Sequence, residues 1–143
     1  MKRLILFLFF IVIGLSSKSQ WFIDANIDVN PYYITDFELN VGRSIKNFDI
    51  NLSYEHYKTF NNYQIKGSYN LKFLESEYQN IKVYSGVGVG IDDDQFTSQV
   101  FLKEKIGLKK IEWLKISLYE KLNYNRLGWY YETRCGLILI FGK

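Results

Sequence analysis

Cysteine is nearly absent from this chain: Cys135 stands alone among 143 residues. One thiol cannot close an intramolecular disulfide, which excludes a disulfide-stapled secreted miniprotein. Histidine is equally scarce, His56 only, so no Cys/His cluster of the kind zinc sites use can form. Pro31 is the single proline. There is no Pro/Gly/Ser-rich linker and no low-complexity tract, so one domain is expected. The longest apolar run covers residues 4–15, broken only by Gly14, and falls short of the roughly 20 residues a spanning helix needs.

That run has the form of an export signal. Lys2 and Arg3 precede it, and Ser17 and Ser19 occupy the −3 and −1 positions of a cleavage before Gln20. Residues 1–19 are therefore expected to be a signal peptide and residues 20–143 the mature domain. No cysteine directly follows the apolar run, so a lipid anchor is not expected. Removing Lys2, Arg3 and Lys18 takes three of the 18 bases and leaves 15 against 15 acids. The basic balance belongs to the address, and nucleic acid loses its electrostatic footing as a partner.

What the chain has in quantity is aromatic residues, 12 Tyr and 11 Phe, which favour strands. Past Gln20 it reads as period-2 runs, which place alternate residues on opposite faces of a strand. Trp21, Ile23, Ala25 and Ile27 alternate with Asp24, Asn26 and Asp28, and Phe48, Ile50, Leu52 and Tyr54 with Asp49, Asn51, Ser53 and Glu55. Turn candidates fall at residues 30–31, 46–47, 61–62, 92–95, 109–110 and 125–128. The result is eight strands of about 9 to 13 residues, longer than the roughly 5 or 6 usual in soluble proteins. They match the roughly 9 to 11 residues of a tilted membrane strand. An all-β, eight-stranded antiparallel up-and-down transmembrane β-barrel is the expected fold.

Two patterns suggest that the apolar face looks outward. Aromatics gather toward strand ends and form a candidate girdle of Trp21, Phe37, Phe48, Phe73, Phe96, Trp129 and Phe141. The polar face segregates charge. Asp24, Asp28, Glu38, Asp49 and Glu55 fall on the first three strands. Lys66, Lys72, Lys82, Lys103, Lys105, Lys115 and Lys121 follow on strands four to seven, and Glu132 and Arg134 on the eighth. Across a narrow lumen such acids and lysines can neutralise one another; Glu55 with Lys121 and Asp49 with Lys115 are the expected pairs. Arg43, His56, Glu104 and Glu120 depart from the pattern by falling on the apolar face. Arg43 and His56 lie near strand ends, where they can snorkel. Glu104 and Glu120 imply either a bulge that shifts the register or a segment outside lipid.

On this strand pattern the chain resembles the small eight-stranded outer-membrane barrels of the OmpA and OmpX type, and the short barrel-only outer-membrane proteins of Bacteroidota. The resemblance covers the whole mature chain as a pattern, without a shared motif. It implies a Gram-negative cell, residence in the outer membrane after signal cleavage, and two partners: outer-membrane lipid and the barrel-assembly machinery. Many such proteins end on an aromatic residue; here Phe141 is followed by Gly142 and Lys143.

The remaining constellations carry little chemistry. Gly86, Gly88 and Gly90 lie within a strand with no helix after them, unlike a dinucleotide fingerprint, and read as a lane admitting rings such as Phe101 or Tyr84. Asp92, Asp93 and Asp94 lack the spacing, Gly and Glu of a calcium loop. His56 is followed by Tyr57 and Lys58, not by a Ser two residues on, as in barrel lipid A deacylases. No catalytic residue, cofactor or metal is expected, and the lumen of so small a barrel is too narrow and too full for a porin. The expected role is structural or surface-interacting. The alternatives are a soluble periplasmic or secreted β-sandwich or barrel that binds a ligand, and a lipid-modifying barrel enzyme.

Overall fold

A computed structural model describes residues 19–29, 37–77, 79–92, 95–125 and 128–142. The expected signal peptide up to residue 18, the 30–36 connection with Pro31, and the tips at 93–94 and 126–127 lie outside the described residues. Eight strands follow in order: β1 (Gln20–Asp28), β2 (Phe37–Ile45), β3 (Phe48–His56), β4 (Asn61–Asn70), β5 (Ile81–Asp92), β6 (Gln95–Leu108), β7 (Ile111–Asn125) and β8 (Gly128–Phe141). Each pairs antiparallel with its sequence neighbour, and β1 pairs with β8, from Trp21 opposite Phe141 to Asp28 opposite Arg134. The sheet thus closes into an up-and-down barrel, leaving no strand edge unpaired.

The closed sheet sorts its residues as the alternation dictates, with the polar set inside. Asp24, Asn26, Asp28, Glu38 and Asn40 are buried, while their neighbours Ile27, Phe37, Leu39 and Val41 are exposed. The same holds across β3 to β8: Lys66, Gln99, Lys103, Ser117, Lys121 and Arg134 are buried, and Val87, Val100, Leu102, Leu118 and Leu137 face out. A few apolar side chains join the interior, chiefly Phe22, Tyr84, Phe101, Tyr119 and Ile138.

Three local expectations need correction. The β3–β4 connection lies at residues 57–60 and not at 61–62, because Asn61 and Asn62 already pair with His56 and Glu55. Tyr57 and Phe60 instead turn inward and stack, ring centroids 4.5 Å apart, closing one end of the lumen. β4 stops at Asn70, so Phe73 is not at a strand end. The Leu71 N–H donates to the Val83 carbonyl (2.7 Å), turning the chain toward β5, and Lys72–Leu74 form a 3-10 turn with Phe73 82% exposed. Lys72 goes with that turn and is exposed outside the lumen. Finally, no bulge rescues Glu104 and Glu120. They pair with Leu118 and Leu102 in continuous register, and the irregularity of β6–β7 comes later, at Gly107 and Leu108. Both carboxylates point out of the barrel among leucines.

Candidate functional site

The site with the densest chemistry is the lumen. At its centre Lys66 on β4 reaches two carboxylates at once, Glu38 on β2 and Glu55 on β3, each 2.8 Å away. Lys121 on β7 meets the same two from across the barrel, at 3.1 Å and 2.8 Å, and adds Glu132 at 3.2 Å. Arg134 closes the cluster against Glu38 (3.5 Å) and Glu132 (3.3 Å). Three acids thus meet three bases with almost no solvent contact. Such burial is tolerable only because each charge has a partner.

Neutral side chains add further hydrogen bonds around the cluster, while Arg134 Nε is buried without a partner among the described residues. Tyr119 accepts from Lys66 at 3.2 Å, and its ring stands edge-on to Phe101. Asn40 donates to Glu38 (2.6 Å) and Asp24 (3.3 Å), and Asn51 donates to Asn40 (2.8 Å). Below this layer Lys103 pairs with Asp24, and Lys105 with Asp49. Above it Tyr57 donates to Glu55 at 2.7 Å and lies under the Arg134 guanidinium. Burial, and then the neighbouring Glu55 and Glu132 carboxylates, hold the Tyr57 hydroxyl well above the usual tyrosine range.

Of the lumen residues named from sequence, Asp24, Glu38, Asp49, Glu55, Lys66, Lys103, Lys121, Glu132 and Arg134 are brought into ion pairs. Asp28 is buried opposite Arg134 in the β1–β8 register. Lys115 is not the partner of Asp49, which takes Lys105 instead; Lys115 is half-buried nearer the turns. Tyr57, Asn40, Asn51 and Tyr119 stand outside the charge network expected from sequence. The last three sit on the inward alternation and were findable by it, whereas Tyr57 lies in a loop with no periodicity.

The outer wall has its own order. Trp21 opposes Phe141, and Phe48 opposes Tyr69 (centroids 4.9 Å apart), at the end that carries the turns at 46–47 and 109–110. Tyr54 opposes Tyr63, Phe96 opposes Ile91 and Trp129 packs on Tyr124 (5.1 Å) at the other end, where Phe37 also lies. Arg43 lies over Trp21 (5.5 Å) and bonds Ser19. His56 bonds Asn61 at 2.8 Å and packs on Phe37, on the face opposite Glu55. Phe101 fills the place a side chain on Gly86 would take, and Gln99 and Gln64 crowd Gly88. Among the described residues no cluster of three His, Cys, Asp or Glu is placed to hold a metal.

The comparisons follow the architecture. No protein-family model matches the chain, and no curated protein matches it in sequence. Among solved structures it is similar to the crystal structure of Neisserial surface protein A (NspA). The TM-score is 0.53 at 13% identity, and the match covers 86% of this chain and 94% of that one. The fold is therefore that of a small outer-membrane-type barrel.

Proposed function

We propose that the chain is a small integral outer-membrane barrel of the OmpA and OmpX kind, with a structural or surface-interaction role and no catalytic activity. The observation that carries this reading is the inside-out distribution of side chains. Charges fill the lumen, and the outer wall presents a belt of Ile, Val and Leu between two levels of aromatic rings. A water-soluble barrel requires the reverse, since large continuous apolar surfaces are not stable in water. In lipid the arrangement satisfies every strand, because closure pairs the backbone and the belt meets acyl chains. A transport role is disfavoured by the interior: the space beside Lys66, Lys103 and Tyr119 is about 10 Å³, at most one water. A lipid-modifying role is disfavoured by His56, whose neighbours are Asn61 and Phe37 rather than a Ser and an acid.

In this reading the signal peptide is removed, the assembly machinery inserts the barrel, and the end with the 46–47 and 109–110 turns faces the periplasm. The deciding experiment is fractionation. The protein is expected in outer membranes after a carbonate wash, with a gel mobility that changes on boiling. Recovery in the soluble periplasm, with no heat-dependent shift, would overturn the reading.

A further inference from the structure

At the end of the barrel that carries the turns at 46–47 and 109–110, three lysines lie on the inward alternation of three consecutive strands. Lys82 on β5 stands directly opposite Lys105 on β6. Lys115 on β7 stands opposite Gly107, one inward position further toward the turns than Lys105. Like charges facing one another weaken a sheet unless something neutralises them. Two of the three are neutralised. Lys105 pairs with Asp49 and lies over the Tyr84 ring at 4.2 Å, and Lys82 meets Glu75 at 3.2 Å. Asp49 is fully engaged, since its other oxygen accepts from Ser44 at 2.6 Å.

Lys115 has no hydrogen bond or ion pair among the described residues. It is repelled by Lys105 and Lys82 and attracted, without contact, by Asp49 and Glu75. Three lysines against two carboxylates leave one positive charge over. A further donor is held at the same mouth. Asn80, with a left-handed backbone (φ 54), accepts the Gly107 N–H at 2.8 Å, and its side-chain amide occupies the space that a Cβ on Gly107 would need. The β6 irregularity falls at the same point, and bulges of this kind re-aim side chains beside sites.

We propose that this mouth binds a phosphate group, held by the Lys115 ammonium with Lys82 and the Asn80 amide. A tetrahedral oxyanion presents several acceptor oxygens, which suits donors carried to one mouth by two strands and the 71–80 connection, and lysine serves phosphate as a compact point charge. The phosphate has two sources. One is a phospholipid headgroup, because Trp21 and Phe48 mark the bilayer interface at this same end. The other is free phosphate from the compartment beyond the turns. The lipid source rests on the membrane reading above; the site itself does not.

The test uses the folded protein in nonionic detergent. Inorganic phosphate is titrated by calorimetry. A short-chain phosphatidylglycerol is followed by native mass spectrometry, with the matching diacylglycerol, which lacks phosphate, as control. Lys115→Gln is expected to weaken binding about ten-fold or more, the worth of one charge-assisted hydrogen bond. Lys58→Gln, at the opposite mouth, is expected to leave it unchanged. Saturable binding of inorganic phosphate that Lys115→Gln weakens establishes a free-anion site. Binding of phosphatidylglycerol alone, weakened in the same way, establishes a headgroup site. Should Lys115→Gln lose the heat-dependent mobility of the folded barrel, Lys82→Gln takes its place with the same expectation. Absence of binding to the unaltered protein in both arms, or equal binding by the variants, overturns the proposal.

Discussion

Lys66 stands between two carboxylates from different strands and is almost wholly shut off from water. Removing such a group does not merely delete a contact; it leaves Glu38 and Glu55 facing each other with less positive charge to share. Lys66→Met is therefore expected to cost about 3–5 kcal/mol, the range for breaking one side of a buried pair. Urea unfolding of the protein in lipid vesicles measures this. The double change Lys66→Met with Glu55→Gln is expected to recover part of the loss, because it removes charge of both signs. A loss below about 1 kcal/mol for the single change would place these charges in the exposed class.

Which residues enter the lumen was legible in the sequence, because period 2 assigns Glu38, Glu55, Lys66 and Lys121 to one face. Who meets whom was not. Partners across a closed barrel depend on how far each strand is staggered against the next, and no local pattern encodes the stagger. Asp49 accordingly meets Lys105 where matching of strand positions pointed to Lys115.

Strands and turns show the same division at the next scale. The eight strands and the turns at residues 46–47 and 109–110 follow from alternation broken by polar pairs. The connection at 57–60 was misplaced for a physical reason: Tyr57 and Phe60 are aromatic residues serving as a plug, and they look like strand. Phe73 was misplaced because the Leu71 N–H reaches β5 early, a tertiary event.

The β5 glycines offer a test of packing. Gly86→Val would drive a side chain into the Phe101 ring and the Gly67 carbonyl; a loss of about 1–3 kcal/mol is expected for overpacking, read by the same unfolding assay. Stability unchanged by Gly86→Val would show that the Phe101 ring yields freely. On the outer wall Glu120 sits opposite Leu102, in a shallow depression of about 310 Å³ shared with Ser85 and Tyr131. Basic residues at the midplane of a lipid face cost about 2–4 kcal/mol and acids less, so Glu120→Leu is expected to stabilise the barrel in vesicles by about 1 kcal/mol. Destabilisation by Glu120→Leu would mean that this carboxylate has a partner in the membrane.

For the molecule as a whole, the lumen sets what can pass. With Tyr57 and Phe60 across one end, and ion pairs filling the middle, the protein reconstituted in a planar bilayer is expected to show no steady conductance above that of the bare membrane. Removing the plug alone, by Tyr57→Ala with Phe60→Ala, is expected to leave it closed, since the Glu38, Glu55, Lys66 and Lys121 layer lies beneath. Stable open channels in the unaltered protein would contradict the packed interior.

The segregation of charge along the chain also bears on how the barrel comes together. Among charged groups, the inward face of β1 to β3 carries only carboxylates, and that of β4 to β7 only ammonium groups apart from Asp92 at the far end of β5, with both signs returning on β8. Until the cylinder shuts, neither ribbon can neutralise itself, and each repels its own side chains. Closure is thus the step that annihilates two opposed fields at once, so the seam formed late in assembly collects most of the electrostatic gain. A chain severed between Lys58 and Thr59 would yield one anionic and one cationic piece, each the template for the other. Mixed in detergent at low ionic strength they should rejoin into a heat-resistant cylinder, and do so more slowly as salt shortens the reach of their attraction.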